Sequence, residues 1–390
     1  MTRARIGIDA RALGNINRNR GIGRYTARVV ENLVGSPDGL EFVLFGFGDG
    51  PAPGTLDRSV LSGVEWIEIP KRGKPTEFPS PREYVPFARA VGQARLSLFH
   101  GIDHNMTPFL VCPSIVTVHD LILLVLRGPY LGPSSMVWMK AHRVASRKAR
   151  FVVAVSECTG KDVHRIWGIP EGRIVVVPEG VEPVYSPQGE GAVAEALARY
   201  GVERPYMLYL GGFDPRKNIV NMLLAFKRYR LAVGGPVRLV LCGDPSGFEG
   251  DLLGLIEELG LGDAVKLAGF IADGDLPALY SGAECLVFVS VYEGFGLPLL
   301  EAMACGTPVL ASDVSSIPEV VGDAGILVDP LEPDEIADGM ARLTGDRELH
   351  DRLSGRGLER ASGFTWDRTT ERIREIYDRV LEGGGVDQRD

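Results

Sequence analysis

"SVYEGFGLPLLEAMACGTPVLASDV", residues 290–314, sets two glutamates, Glu293 and Glu301, on either side of a Gly-Phe-Gly-Leu-Pro turn. The flanks fix its geometry. "CLVFVS", residues 285–290, is a continuous apolar run and predicts a parallel strand buried on both faces. Pro298 suits a first helical turn, where its missing N–H is not needed, and Gly306 marks the stop after a helix over 299–305. "TPVLAS" predicts the next strand. The stretch reads strand, glycine loop, helix, strand.

In an open α/β sheet, ligands bind beyond the carboxyl ends of the strands. A helix N-terminus there offers free N–H groups and a partial positive charge. Gly294 and Gly296 let a ligand approach the backbone, so the loop Gly294, Phe295, Gly296 and Leu297 reads as a phosphate cradle. Two carboxylates facing a phosphate would repel it. Glu293 and Glu301 are therefore expected to face something neutral that donates hydrogen bonds, as sugar hydroxyls do. A nucleotide-sugar carries both chemistries.

The same alternation runs through the chain. "RIGIDA", "FVLFGF", "LSLFHG", "SIVTVHD", "FVVAVS" and "RIVVVPEG" come first. After a Pro/Gly-rich stretch it restarts with "YMLYLGG", "VRLVLCG", "VKLAGFI", "CLVFVS", "TPVLAS" and "GILVD". This predicts an α/β chain of two similar parallel-sheet domains joined near 183–204. The tail "FTWDRTTERIREIYDRVLEG" has helical spacing at Trp366, Ile373, Ile376, Tyr377 and Val380.

The 390 residues suffice for two or three domains. A net charge of −9 argues against general nucleic-acid binding, which needs a basic footprint. Five scattered cysteines without C-x-x-C spacing read as reduced core residues. The N-terminus reads as a strand rather than a secretory leader, and no apolar run approaches the ~20 residues that span a bilayer. The expectation is a cytoplasmic protein. The basic stretch "KAHRVASRKAR", 140–150, reads either as a solvated helix face or as a contact with anionic lipid at the inner face of the membrane.

"LYLGGFDPRKN" puts Arg216 and Lys217 between a strand and a helix. Cations there oppose the helix dipole, and an anionic ligand would remove the conflict. A loop cation is expected to bury little. Gly21 and Gly23 in "NRNRGIGRYT" fall short of a dinucleotide fingerprint: Thr26 takes the third glycine's place and the first strand ends about ten residues earlier. That disfavours a dehydrogenase and suggests a mobile glycine loop at a helix start. His119-Asp120 ends an apolar strand, the position of a site. His100 and His104 lie in a loop unsuited to metal. Asp273 and Asp275 form a D-x-D, but Asp275 precedes Leu276-Pro277 and reads as a helix N-cap.

These blocks resemble those of retaining glycosyltransferases of family 4, which have the GT-B fold. Glu293 and Glu301 match the family's E-x7-E motif, and "RGIGRYT", "VTVHDL", "VVAVSECT", "VVPEGV", "LGGFDPRKN" and "SSIPEVVGDAGILVDP" follow in family order. The likeness covers nearly the whole chain and is nearest to bacterial enzymes assigned as mannosyltransferases in polysaccharide or glycolipid assembly. It implies an acceptor-binding Rossmann-like domain over 1–185, a nucleotide-sugar-binding one over 186–365, a central cleft, and a helix over 366–390 crossing back to the first domain. Glu301 then matches the ribose ligand and Glu293 the residue near the transferred sugar. Arg216 and Lys217 match the diphosphate cations, Gly21 and Gly23 the N-terminal loop, and His119 the residue beside the reacting sugar. One departure stands out: many members of the family carry Gly-Arg directly after the strand, where this chain has Gly211-Gly212.

The resulting expectation is metal-independent, retaining transfer of a hexose, with GDP-mannose the favoured donor. The acceptor would be a saccharide, a lipid-linked sugar or a small molecule, bound by loops such as 71–86 and 103–110. A GT-B nucleotide-sugar epimerase and a non-catalytic sugar-nucleotide-binding module are the alternatives.

Overall fold

The computed structural model describes residues 3–15, 18, 21–35, 39–48, 50–52, 55–56, 58–70, 81–126, 133–248 and 250–383. The chain divides into two compact units, Met1–Gly180 with Trp366–Asp390, and Val181–Thr365.

In the first unit the described strands are β1 (Arg5–Asp9), β2 (Glu41–Gly46), β3 (Glu65–Glu68), β4 (Leu98–Gly101), β5 (Ser114–Val118), β6 (Phe151–Ala154) and β7 (Ile174–Val176). They form one parallel sheet in the order β3-β2-β1-β4-β5-β6-β7. The six apolar runs read from the sequence are six of these strands. The seventh, β3, is the edge strand "EWIE", whose outer residues Glu65 and Glu68 are exposed. Helices cover the sheet because its strands are apolar on both faces: Phe45, Phe99, Val116 and Val152 pack with Trp138 and Trp167.

In the second unit β8 (Tyr206–Leu210), β9 (Arg238–Cys242), β10 (Val265–Gly269), β11 (Cys285–Phe288), β12 (Val309–Ser312) and β13 (Gly325–Val328) are parallel in the order β10-β9-β8-β11-β12-β13. Met207, Leu239, Leu241, Val287 and Leu310 pack there with Phe226 and Tyr229. In both sheets the order reverses beside the first strand, between β1 and β4 and between β8 and β11. Such switch points open a crevice at the strands' carboxyl ends, where ligands of doubly wound folds bind.

The helix Trp366–Leu381 belongs to the first unit. Tyr377 Oη bonds His100 Nδ1 at 2.8 Å, and Thr369 Oγ1 donates to the Pro178 carbonyl at 2.8 Å. Arg374 donates to the Leu33 carbonyl at 2.8 Å. Among the described residues no helix is long and apolar enough to cross a membrane.

Candidate active site

The loops that follow β8 and β11 meet at the second unit's switch point. The first carries Asp214, a tight turn Pro215–Lys217, and Asn218. The second runs from Val289 to Gly296, where the helix Leu297–Ala304 begins with Pro298 in its first turn. Hydrogen bonds knit them: Val291 N–H donates to the Arg216 carbonyl at 2.8 Å, and the side-chain Nδ2 of Asn218 donates to the Val289 carbonyl at 3.0 Å and the Pro330 carbonyl at 2.6 Å. Ser316 Oγ donates to the carbonyls of Glu293 and Phe295 at 3.0 and 2.9 Å. Asn218 and Ser315 hold φ of 61° and 58°, a left-handed conformation that non-glycine residues adopt at a cost. Gly243 is required by close approach, since a Cβ there would lie 1.9 Å from the Gly211 carbonyl oxygen.

At the centre, Lys217 Nζ donates to Glu293 Oε1 at 2.6 Å and Arg216 donates to Glu293 Oε2 at 2.8 Å. Arg216 Nε also pairs with Asp214 at 3.0 Å. Glu293 therefore does not look away from the cations toward a neutral group alone; one carboxylate spans both. Burial works against the Glu293 charge, but Lys217 and Arg216 outweigh it and bring its pKa down to about 2. Lys217 is 8% exposed, so the cation expected to bury little is an interior one. Burial, helped by Arg216, lowers its pKa against the pull of Glu293.

Gly294, Phe295, Gly296 and Leu297 are buried. Gly296 has φ of 121°, which L side chains rarely adopt, and delivers the chain into the helix. Glu301, one turn in, is 1% exposed and accepts a hydrogen bond from Tyr280 Oη at 2.9 Å. Sequence reasoning missed Tyr280, whose run "LPALY" reads as plain helix core. Gly212 is exposed, and a Cβ there would meet only Asp214 at 3.5 Å.

The other candidates lie in the first unit. His119 follows β5, with Nδ1 3.1 Å from Glu179 Oε1 and Nε2 3.0 Å from the Ile102 carbonyl. A carboxylate and a carbonyl flank the two ring nitrogens, an arrangement that favours the doubly protonated form. Burial alone would lower its pKa; Glu179 foremost, then Asp103 and the Ile102 carbonyl, raise it instead. Both nitrogens are thus committed to protein partners. Tyr25 packs edge-on against the ring at 4.7 Å. Glu179 went unassigned in the sequence, although it follows an apolar strand as His119 does. Gly21 and Gly23 are not in a loop: they open the helix Gly21–Val34, Gly21 exposed and Gly23 buried. Asn17, Asn19 and Arg20 of that stretch, and residues 71–80 of the expected acceptor loops, lie outside the described residues.

Asp275 precedes the helix Leu276–Gly282 but makes no capping bond. Its carboxylate is taken instead by Arg199 and by Tyr200 Oη, the latter at 2.7 Å. His100 is buried between Tyr377 and Thr117 and stands apart from His104, which pairs with Asp103 at 3.0 Å.

Two doubly wound sheets, the second with cations and a carboxylate at its switch point, place the chain among doubly wound α/β proteins. Profiles described as "Glycosyltransferase Family 4" and "Glycosyl transferases group 1" match residues 19–185 and 198–360. The O-antigen chain mannosyltransferase B of Escherichia coli is 32% identical over 284 residues, covering 72% of this chain and 74% of that one. The chain belongs to this glycosyltransferase family. The sucrose-phosphate synthase of Thermosynechococcus elongatus shares the fold at a TM-score of 0.75, with 22% identity over 98% of this chain and 100% of that one. Anabaena HepE, solved with UDP and glucose, does so at 0.75, with 18% identity over 96% and 99%. The fold is that of GT-B glycosyltransferases.

Proposed function

We propose that the protein transfers a hexose, mannose foremost, from a nucleotide-diphospho-sugar such as GDP-mannose to a saccharide, lipid-linked or small-molecule acceptor, with retention and without a metal ion. The observation that carries this is the Lys217–Glu293–Arg216 cluster at the switch point of the second unit. The relative named as an O-antigen chain mannosyltransferase supports the sugar. In this reading the second unit binds the donor and the first the acceptor.

Transfer breaks the bond between the anomeric carbon and the diphosphate oxygen and forms one to the acceptor oxygen. Negative charge grows on the leaving diphosphate, where Lys217, Arg216 and helix amides near Gly296 are in this reading the groups that receive it. Glu293, held on the same cations, turns to the sugar hydroxyls as the diphosphate takes its place. Glu301 binds the ribose. The acceptor attacks from the leaving group's face, and its proton passes to the departing phosphate oxygen. His119, its pKa raised by Glu179 and both its nitrogens held by protein partners, serves as a fixed cation beside the sugar rather than as a base.

Proton NMR of the anomeric signal in the first-formed product, with and without EDTA, tests stereochemistry and metal together. An α-linked donor should give an α-linked product, undiminished by chelator. A β-linked product overturns retention; activity lost in EDTA and restored by a divalent cation overturns metal independence.

A further inference from the structure

The helix Leu297–Ala304 reads LPLLEAMA, and the residues around Glu301 in it, Leu299, Leu300, Ala302 and Met303, are all buried. A carboxylate in such a run costs free energy through desolvation, and an apolar side chain of similar volume would pack there without that cost. Glu301 nevertheless stands there, and its Oε2 accepts the 2.9 Å hydrogen bond from Tyr280 Oη, in the last turn of the helix Leu276–Gly282.

Tyr280 is itself fixed. It is fully buried, Thr307 Oγ1 donates to its carbonyl at 2.6 Å, and Tyr206 Oη donates to the adjacent Leu279 carbonyl at 2.6 Å. The Tyr185 ring packs edge-on against the Tyr280 ring at 6.1 Å. Tyr206 and Tyr209, also buried in this unit, direct their hydroxyls to backbone carbonyls, those of Leu279 and Gly212. A core tyrosine needs an acceptor, and a carbonyl suffices. Tyr280 reaches a carboxylate instead, which filling the core does not require.

The terminal torsion of a glutamate is broad, so its two oxygens sweep many directions unless something holds them. A fixed phenol on Oε2 sets the plane of the carboxylate. We infer that Tyr280 is a positioning residue for the donor nucleotide: it aims Glu301 at the vicinal hydroxyls of the ribose, and so makes the site select a ribonucleoside diphosphate over one that lacks them. The inference rests on the ribose role proposed above for Glu301 and adds the residue that gives that role its direction.

The test is isothermal titration of the full-length protein with GDP or UDP, whichever the wild type binds more tightly, and with its 2′,3′-dideoxy counterpart. The wild type should prefer the ribose form by roughly tenfold or more, the worth of a hydrogen bond to a charged group. Tyr280→Phe removes only a hydroxyl; it should cut that preference roughly fivefold while dideoxy binding stays within about twofold. Unfolding of part of the sample lowers both apparent affinities alike, so the ratio reports on the site. Should the variant not fold, the wild type decides by NMR: the Tyr280 hydroxyl proton should shift when the ribose form binds and not when the dideoxy form does. Equal weakening of both ligands by Tyr280→Phe, a preference left at the wild-type ratio, or a hydroxyl proton unmoved by the ribose form overturns the proposal. Glu301→Ala separates the two failures. If it abolishes the preference and Tyr280→Phe keeps it, the ribose role stands and Tyr280 positions nothing; if it keeps the preference, the ribose role itself falls and the inference with it.

Discussion

Replacing Glu293 by Gln should weaken the second unit and tighten its hold on a nucleoside diphosphate. Both carboxylate oxygens are committed, at 2.6 Å to Lys217 and 2.8 Å to Arg216. Removing one member of a buried ion pair costs about 3–5 kcal/mol, because the partner's charge is left uncompensated. Asp214, 3.0 Å from Arg216 Nε, softens the loss and puts the expectation near the lower end. The proton linkage of Glu293 gives a similar figure: a pKa depressed from 4.5 to about 2 is worth roughly 3 kcal/mol. For a domain of this size that is about 6–12 °C in melting temperature.

A diphosphate restores negative charge to the two cations, so the bound variant escapes most of this cost. The difference appears as affinity, with tightening of up to about a hundredfold. Thermal melts and isothermal titration with GDP and UDP measure both quantities. In the wild type, Glu293's folded pKa lies below its unfolded one. Its contribution is therefore complete above about pH 4.5 and lost as pH falls toward about 2, a window the Gln variant should lack. If the variant is destabilised yet binds nucleoside diphosphates no more tightly than wild type, the cations do not face the diphosphate and the assignment fails.

Lys217→Met should lower turnover by roughly a hundredfold or more, the usual effect of removing a preorganised transition-state charge partner. Glu293 keeps Arg216, so the protein should still fold, and wild-type turnover in the folded variant would remove Lys217 from the chemistry. Glu301→Ala should weaken nucleoside diphosphate binding by about 1.5–3 kcal/mol, the worth of a charge-assisted hydrogen bond. It also removes the acceptor of the Tyr280 Oη hydrogen bond, so titration must be paired with a melt; unchanged affinity in a folded variant counts against the ribose role. His119's folded pKa is raised, so its stabilisation is complete below the ordinary imidazole range and fades as pH climbs through the higher folded value. Glu179→Gln should move that fade to lower pH, and NMR titration of the His119 ring separates it from His100, His104 and Asp103 nearby. A ring titrating identically in both proteins would contradict the pairing.

The strands were readable because parallel strands buried on both faces spell continuous apolar runs, as in "VRLVLCG" and "CLVFVS". β3 escaped because "EWIE" sits on an edge, where its glutamates meet water. The site was readable as residue types at strand ends, Arg216 and Lys217 after one run and Glu293 after another. Their pairing was not, for a reason of topology: chain order separates β8 from β11 by two strands, whereas the sheet makes them neighbours. Treated as independent loops, a carboxylate and a bound phosphate repel, which is why Glu293 was expected to face a neutral hydrogen-bond donor. Once the strands are adjacent, the same carboxylate becomes their counter-ion. Glu179 was missed in the same way, 60 residues from the His119 it holds. The physical consequence bears on the proposed function: the cations are held by an internal anion, so in that reading a diphosphate would bind by exchange with Glu293, releasing the carboxylate toward the donor's sugar hydroxyls.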